Sequence, residues 1–138
     1  MFMKKKLAQG SKIEKIDMLV FPRAVYVTDC DPNKFNELFK AKDGNIVPPD
    51  NTKSFASVYD EIRPTTDEEY GIVMWVNSDM KLYPDELAHE ICHIVDHIYN
   101  YVGAYEIDLG GEQHAYFFQY AYRLVYDKLE KLGRIHTK

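Results

Sequence analysis

Apolar residues recur with two different periods along the chain, and the shorter period predicts strands. β-Branched and aromatic residues are concentrated in Asp17–Thr28, Phe55–Ile62 and Gly71–Asn77, which predicts three strands. We expect a bulge or an edge position near Pro22, because proline has no N–H group to donate to a neighbouring strand. The run Gly71–Asn77 gives the strongest strand pattern in the chain.

Apolar residues spaced three or four apart predict three helices. The first is expected over residues 32–42, where an aspartate and a proline precede a run with apolar residues on one face. Two longer helices are predicted over about Pro84–Val102 and Glu112–Leu132. Each is followed by a glycine, Gly103 or Gly133, at the position where helices commonly end.

The order of these elements predicts an α+β domain. A strand, a helix and two strands are followed by two longer helices, so we expect a small, mostly antiparallel sheet packed on the last two helices. A length of 138 residues predicts a single domain over residues 1–138, since one domain takes roughly 100–200 residues. Residues 1–16 are basic and weakly patterned, and we interpret them as a flexible arm.

Composition and charge exclude several classes of function. The chain is 46% hydrophobic and 28% charged, as in an ordinary globular protein, and its net charge of −5 argues against a nucleic-acid binder. No apolar run approaches the roughly 18 residues that predict a membrane span, and no apolar segment of a secretory signal follows the basic start. Two cysteines do not make a disulfide framework, so we expect reduced thiols in a cytoplasmic protein.

The segment that carries candidate chemistry reads His-Glu-x-x-His, from His89 to His93, within the first long helix. Residues four apart share a helix face at about 5–6 Å between Cβ atoms, so both imidazoles can reach one tetrahedral Zn²⁺. Glu90 follows the first histidine and can act as the general base for a metal-bound water. The alternative is a core helix in which both histidines are hydrogen-bonded and bind no metal.

A catalytic zinc usually has three protein ligands, so a third must come from elsewhere in the chain. His97 lies about 12 Å along the helix from His89, which favours a surface or supporting role. Glu112 opens the next helix and would approach the pair if that helix returns antiparallel. We therefore predict Glu112 as the third ligand, with His114 in reserve. The alternative for Glu112 is a favourable interaction with the helix dipole.

A peptidase also needs groups that hold its substrate. Polarisation of the scissile carbonyl often uses a nearby side-chain donor. The candidates are Tyr105, His114, Tyr116 and Tyr120. An extended peptide can pair with an exposed sheet edge. Ile72–Val76 is either that edge or a central core strand, and the sequence leaves both interpretations open.

His89-Glu90-x-x-His93 followed by Glu112 resembles the zincin metallopeptidases of the gluzincin branch. There, two histidines and a downstream glutamate bind zinc, and the motif glutamate is the base. The segment 111–120 is also similar to small HExxH proteins encoded by bacteriophages, which act in a bacterial host. The resemblance covers about residues 71–125. It implies a minimal zincin fold, a Zn²⁺ cofactor, and a protein or peptide substrate.

One position departs from the gluzincin pattern. Many gluzincins have an acidic residue four positions after the ligand glutamate, where it supports the first histidine, and Tyr116 stands there in this chain. Such partners orient ligand imidazoles and tune the metal. Asp96, Asp108 or a backbone carbonyl would have to replace it.

Two other hypotheses remain besides the enzyme. In the first, the domain is a non-catalytic binding or structural module, zinc ties its last two helices together, and its aromatic final helix binds a partner. Glu90 argues against this, because a purely structural zinc site has no use for a general base and usually fills all four positions with Cys and His. In the second, the protein binds no metal and its histidines are incidental.

Overall fold

In the computed structural model, which describes residues 12–18, 23–103 and 111–137, the elements follow the predicted order with two additional strands. The strands are β1 (Ile13–Met18), β2 (Arg23–Thr28), β3 (Phe39–Ala41), β4 (Ala56–Pro64) and β5 (Gly71–Val76). The helices are α1 (Phe35–Leu38), α2 (Pro84–Val102) and α3 (Glu112–Leu132), and a 3-10 turn at Pro32–Lys34 precedes α1.

The strands form one mixed sheet in the order β1-β2-β5-β4-β3. Only the β2–β5 pair is parallel, and the other three pairs are antiparallel. The predicted α+β class, with a mostly antiparallel sheet, is therefore confirmed. Because β5 is the central strand and all six of its residues are buried, the central-strand interpretation of Ile72–Val76 is correct and the edge interpretation is wrong.

The predicted strand Asp17–Thr28 is wrong in one respect, because it contains parts of two strands. β1 pairs antiparallel with β2, from Ile13 opposite Thr28 to Met18 opposite Arg23, so the chain reverses between Met18 and Arg23. Residues 13–16, assigned to the basic arm, belong to β1. Residues 1–11 of that arm lie outside the described residues, as does Pro22.

The first predicted helix is shorter than expected. Its start is correct, since the Asp31 side chain accepts a hydrogen bond of 2.9 Å from the Asn33 N–H. Its end is wrong, because Phe39 leaves the helix and pairs with Pro64 of β4. Phe39 is buried in this strand, so its pairing with β4 outweighs the helical spacing of the local apolar residues.

Each face of the sheet has its own core. α2 and α3 cover one face, and their buried side chains pack on those of the sheet. This core includes Val25, Val27, Ile72, Met74, Ile91, Ile94, Phe117 and Val125. The other face is covered by the α1 region, where Phe35 and Phe39 pack near Tyr26 and Trp75. The two parallel strands approach so closely that a Cβ at Gly71 would lie 2.3 Å from the Ala24 carbonyl oxygen, so glycine is required there.

The bounds of the two long helices confirm the sequence prediction. α2 begins at Pro84, and the Glu86 side chain accepts a hydrogen bond of 2.9 Å from the Tyr83 N–H, which caps the helix. Both helices end at a left-handed glycine, Gly103 with φ 69° and Gly133 with φ 75°. In the described ranges, no helix combines the length and apolar character that crossing a bilayer requires.

Candidate metal centre

His89 and His93 lie one turn apart on the exposed face of α2. Their ring centroids are 4.9 Å apart and the ring planes meet at 80°. The opposite face of the helix is buried against the sheet through Leu87, Ile91, Ile94, Val95 and Ile98. Among the described residues, neither histidine has a hydrogen-bond or ion-pair partner. Both imidazoles are therefore presented to solvent and are not core residues.

Glu90 lies between the two histidines in sequence and is half-buried. Burial raises the pKa of its carboxyl group, and the neighbouring His89 opposes part of that rise. A general base works best when its pKa lies near the working pH, so a raised glutamate pKa suits proton abstraction near neutrality. His89, His93 and Glu90 therefore share one region of the α2 surface.

An open pocket of about 390 Å³ adjoins this region. Its lining residues are Phe55, Leu82, Asp85, Glu86, His89 and Glu90. Phe55 immediately precedes β4 and keeps 52% of its surface exposed, whereas Leu82 is buried. Phe55, just before β4, and Leu82, just before α2, therefore form the apolar walls of the pocket. Polar side chains of α2 form its rim.

The C-terminal segment holds one wall of this pocket. Leu82 forms a parallel bridge with Ile135, and its N–H donates to the Arg134 carbonyl at 2.8 Å. The His136 N–H donates back to the Leu82 carbonyl at 2.8 Å, and the His136 ring stacks on Tyr83 at 4.1 Å. These contacts fix the chain just before the motif helix begins.

The predicted third ligand lies at the first position of α3. Glu112 is exposed there, next to Gly111 with φ 76°. In the part of the chain that the structure describes, no group of three or more His, Cys, Asp or Glu side chains is placed to hold a metal ion. The structure thus brings His89 and His93 together, and the role of Glu112 stays a prediction. Tyr105 and Asp108 lie outside the described residues.

His114 and Asp96 meet each other where α2 packs on α3. The His114 Nε2 atom lies 3.7 Å from the Asp96 Oδ1 atom, and the His114 ring contacts the edge of Tyr99 with centroids 4.9 Å apart. The reserve ligand and the predicted supporting carboxylate therefore form an interhelical contact. Tyr116 projects from α3 with 65% of its surface exposed, and Tyr120 is half-buried.

His97 has a carboxylate partner on the sheet. Its Nδ1 atom lies 3.3 Å from the Asp60 Oδ2 atom. The hydrogen bond with Asp60 raises the His97 pKa, and burial opposes this rise. Burial alone would raise the Asp60 pKa, but hydrogen bonds from His97 and Arg23 outweigh it and lower that pKa to about 2. His97 was predicted to have a surface or supporting role, and its partner in the structure is Asp60 of β4.

Arg23 completes this cluster, and sequence reasoning missed it. The Arg23 side chain is only 4% exposed, and its Nη2 atom donates to Asp60 at 2.8 Å and to Glu61 at 3.0 Å. Its guanidinium group lies 4.1 Å from the centre of the Tyr101 ring. The signal was available, because two adjacent acidic residues interrupt the apolar run of β4. The bulge between Tyr59 and Ile62 places both within reach of Arg23.

β4 offers a partly unpaired edge beside α2. β3 pairs with β4 only at residues 62–64, and in the described ranges no strand pairs with the outer side of residues 56–59. The Asn77 N–H donates to the Phe55 carbonyl at 2.8 Å, so Phe55 directs its backbone toward β5. Because adjacent residues alternate, the backbone groups of Ala56 and Val58 point away from β5. An unpaired sheet edge therefore lies at Ala56 and Val58 of β4, and β5 has none.

Imidazole nitrogen is a common ligand of Zn²⁺, and the exposed face of α2 supplies two of them. The spacing of His89 and His93 and their exposure fit two of its ligands, and Glu90 fits the general base. Comparison with protein-family models found no match to this chain, and neither the search of curated proteins nor that of solved structures found a similar protein.

Proposed function

We propose that this protein is a zinc-dependent metallopeptidase of the gluzincin type. His89, His93 and Glu112 hold Zn²⁺, and Glu90 is the general base. The observation that carries the proposal is the exposed His89–His93 pair, with Glu90 half-buried next to it and an open pocket alongside. The exposure of both imidazoles argues against the alternative of a core helix with two hydrogen-bonded histidines.

Each residue has a defined task in this proposal. When bound, zinc polarises a peptide carbonyl and lowers the pKa of a bound water to about 7. The Glu90 carboxylate would accept a proton from the attacking water and would pass it to the leaving amine nitrogen. The raised pKa of Glu90 makes this proton easier to hold between the two transfers.

The outer edge of β4 is the proposed support for the substrate backbone. The outward N–H and C=O groups of Ala56 and Val58 can pair with an extended peptide, which adds a strand to the sheet. This edge precedes the bulge at Tyr59–Ile62 and leads to Phe55, which lines the pocket at His89 and Glu90. A bound peptide would therefore pass the candidate catalytic residues.

The proposed setting is the cytoplasm of a bacterial host, with a protein or peptide partner and no nucleic acid. Both Cys30 and Cys92 are free thiols, which is usual in a reducing compartment. The net charge of −5 disfavours a polyanionic partner. A phage-encoded peptidase is the class that the motif resemblance favours.

A second candidate is a non-catalytic binding module, and one observation favours it. Gln119, Tyr122, Arg123 and Tyr126 line a further open pocket on α3. Tyrosine and arginine are enriched at protein interfaces, so this face suits a partner. Such a partner surface does not use Glu90, which separates the two candidates experimentally.

The test is zinc-dependent hydrolysis of an unfolded protein, with new peptide termini counted by mass spectrometry. We expect cleavage by the wild type with Zn²⁺, loss with a chelator, and a decrease of about 100-fold or more in Glu90→Gln. Glu37→Gln removes the same charge from α1 on the other face of the sheet and should cleave like the wild type. Equal cleavage by Glu90→Gln and the wild type, or none by the wild type, would contradict the proposal.

A further inference from the structure

The pocket at the start of α2 combines apolar walls with carboxyl groups that pair with no lysine or arginine among the described residues. Phe55 and Leu82 supply the walls, and Asp85, Glu86 and Glu90 supply three carboxyl groups. Among the described residues, no lysine or arginine forms an ion pair with any of these three. The buried carboxylate of Asp29, by contrast, is paired with Arg134 at 2.9 Å. Asp85 and Glu86 lie in the first turn of α2, whose N-terminus favours negative charge, and the pocket rim offers their carboxylate oxygens to a basic group.

The three carboxylates are not equally available to a ligand. One oxygen of Glu86 already accepts the Tyr83 N–H at 2.9 Å, because it caps α2. Glu90 is half-buried next to His89. Asp85 is exposed at the pocket rim, so its oxygens are the most accessible to an incoming cation.

We propose that this pocket binds a basic side chain, arginine in preference, of a peptide lying on the β4 edge. An arginine has an aliphatic stem that packs on Leu82 and a planar head that stacks on Phe55 and pairs with Asp85. The same protein already stacks a guanidinium on an aromatic ring, where Arg23 lies 4.1 Å from the ring centre of Tyr101. A neutral side chain would gain only the apolar contact.

This inference deepens the proposed function, since it names the substrate preference of the same site. It rests on the proposed function only for the statement that a peptide bond near the arginine is cut. Binding of the side chain depends on Phe55, Leu82 and Asp85 alone. The two claims therefore fail separately when binding and cleavage are measured on the same samples.

The experiment compares two peptides that differ in one charge. A fluorescein-labelled hexapeptide of alanines carries either one arginine or one citrulline, its neutral isostere, at the same position. Fluorescence anisotropy at 4 °C gives the affinity of the full-length protein with Zn²⁺, and mass spectrometry of the same samples detects cleavage. Where the peptide is cut, the ratio of initial rates replaces the ratio of affinities.

We expect the wild type to prefer arginine over citrulline by about five- to tenfold, as a few partly exposed charge pairs would give. The preference should fall to about twofold in Asp85→Asn and vanish at high salt. Glu37→Gln, with the same change in net charge, should keep the full preference. Phe55→Ala should weaken the binding of both peptides, because the Phe55 ring would contact the side chain of either one.

Three results would overturn the inference: equal binding of the two peptides by the wild type, binding of neither, or a full preference that survives Asp85→Lys. An arginine preference without cleavage of any peptide would support the pocket and contradict the peptidase. Cleavage without an arginine preference would support the peptidase and contradict the arginine pocket. Circular dichroism of each variant confirms that α2 and α3 are intact.

Discussion

The two halves of α2 both carry histidines, but these histidines differ in their contacts. In the first half, His89 and His93 are exposed and have no hydrogen-bond or ion-pair partner among the described residues. In the second half, His97 is paired with Asp60, which in turn receives a hydrogen bond from the buried Arg23. One helix thus presents two imidazoles without such partners at one end and a histidine held in an ion network at the other.

This difference separates a binding surface from a structural contact. An exposed polar side chain without partners contributes little to stability, whereas a buried charge must be paired because its desolvation is costly. The Arg23 cluster, made up of Arg23, Asp60, Glu61 and His97, therefore anchors α2 to the sheet. His89 and His93 are free of that task and available to a ligand.

The largest effect should appear when the two ends are compared in the hydrolysis assay. His93→Ala removes a proposed zinc ligand and should lower cleavage by about 100-fold or more, since even supporting partners of a ligand are worth 10- to 100-fold in affinity or activity. His97→Ala makes the same chemical change one turn further along α2, where the side chain pairs with Asp60, and should retain activity within about threefold. Equal losses in both variants would remove the functional distinction between the two ends.

The long helices were predictable because their signals are local. Pro84 with an acidic first turn and the glycines Gly103 and Gly133 mark ends that depend only on neighbouring residues, and the structure confirms them. The motif pattern likewise placed His89 and His93 on one face, opposite the buried residues of α2. Local rules of helix geometry were enough for both results.

The sheet was less predictable because strand pairing depends on distant residues. The reversal between β1 and β2 was missed, since the interruption at Pro22 was interpreted as a bulge or an edge within one strand over residues 17–28. Phe39 joined β3 because Pro64 pairs with it from 25 positions away. Asp60 and His97 lie 37 positions apart, so their contact could not be inferred from spacing.

The next effect concerns stability. Arg23→Ala leaves Asp60 without one of its partners and should lower the free energy of unfolding by about 2 kcal/mol, because the two carboxylates are partly solvated. His93→Ala should change it by less than about 0.5 kcal/mol, as exposed substitutions usually do. Urea denaturation followed by circular dichroism measures both. Arg123→Ala, an exposed arginine of α3, is the matched control and should resemble His93→Ala.

The smallest effect is a pH dependence confined to the second half of α2. Folding raises the His97 pKa above its ordinary 6.5, so its contribution is complete below pH 6.5 and is lost as the pH rises through the raised value. Asp60 contributes above its ordinary 3.8, and that contribution is lost as the pH falls through about 2. Between pH 6 and 9, the wild type should therefore lose stability relative to His97→Gln.

We expect this relative loss to be about 0.5 kcal/mol, because solvent screens a side chain that is more than one third exposed. Urea titrations at pH 6, 7.5 and 9 measure it. His93→Gln should follow the wild type across the same range. A stability profile of His97→Gln that runs parallel to that of the wild type would show that the Asp60 contact does not hold a proton.

The most direct test of the account is the zinc content of the purified protein, measured by mass spectrometry of the metal after supply of Zn²⁺ and removal of the excess. The account predicts about one zinc per wild-type chain, as one catalytic site requires. It predicts loss of most of that metal in Glu112→Ala and in the double variant His89→Ala, His93→Ala, and full retention in His97→Ala. A wild type without zinc, or a His97→Ala variant that loses as much metal as the double variant, would contradict it.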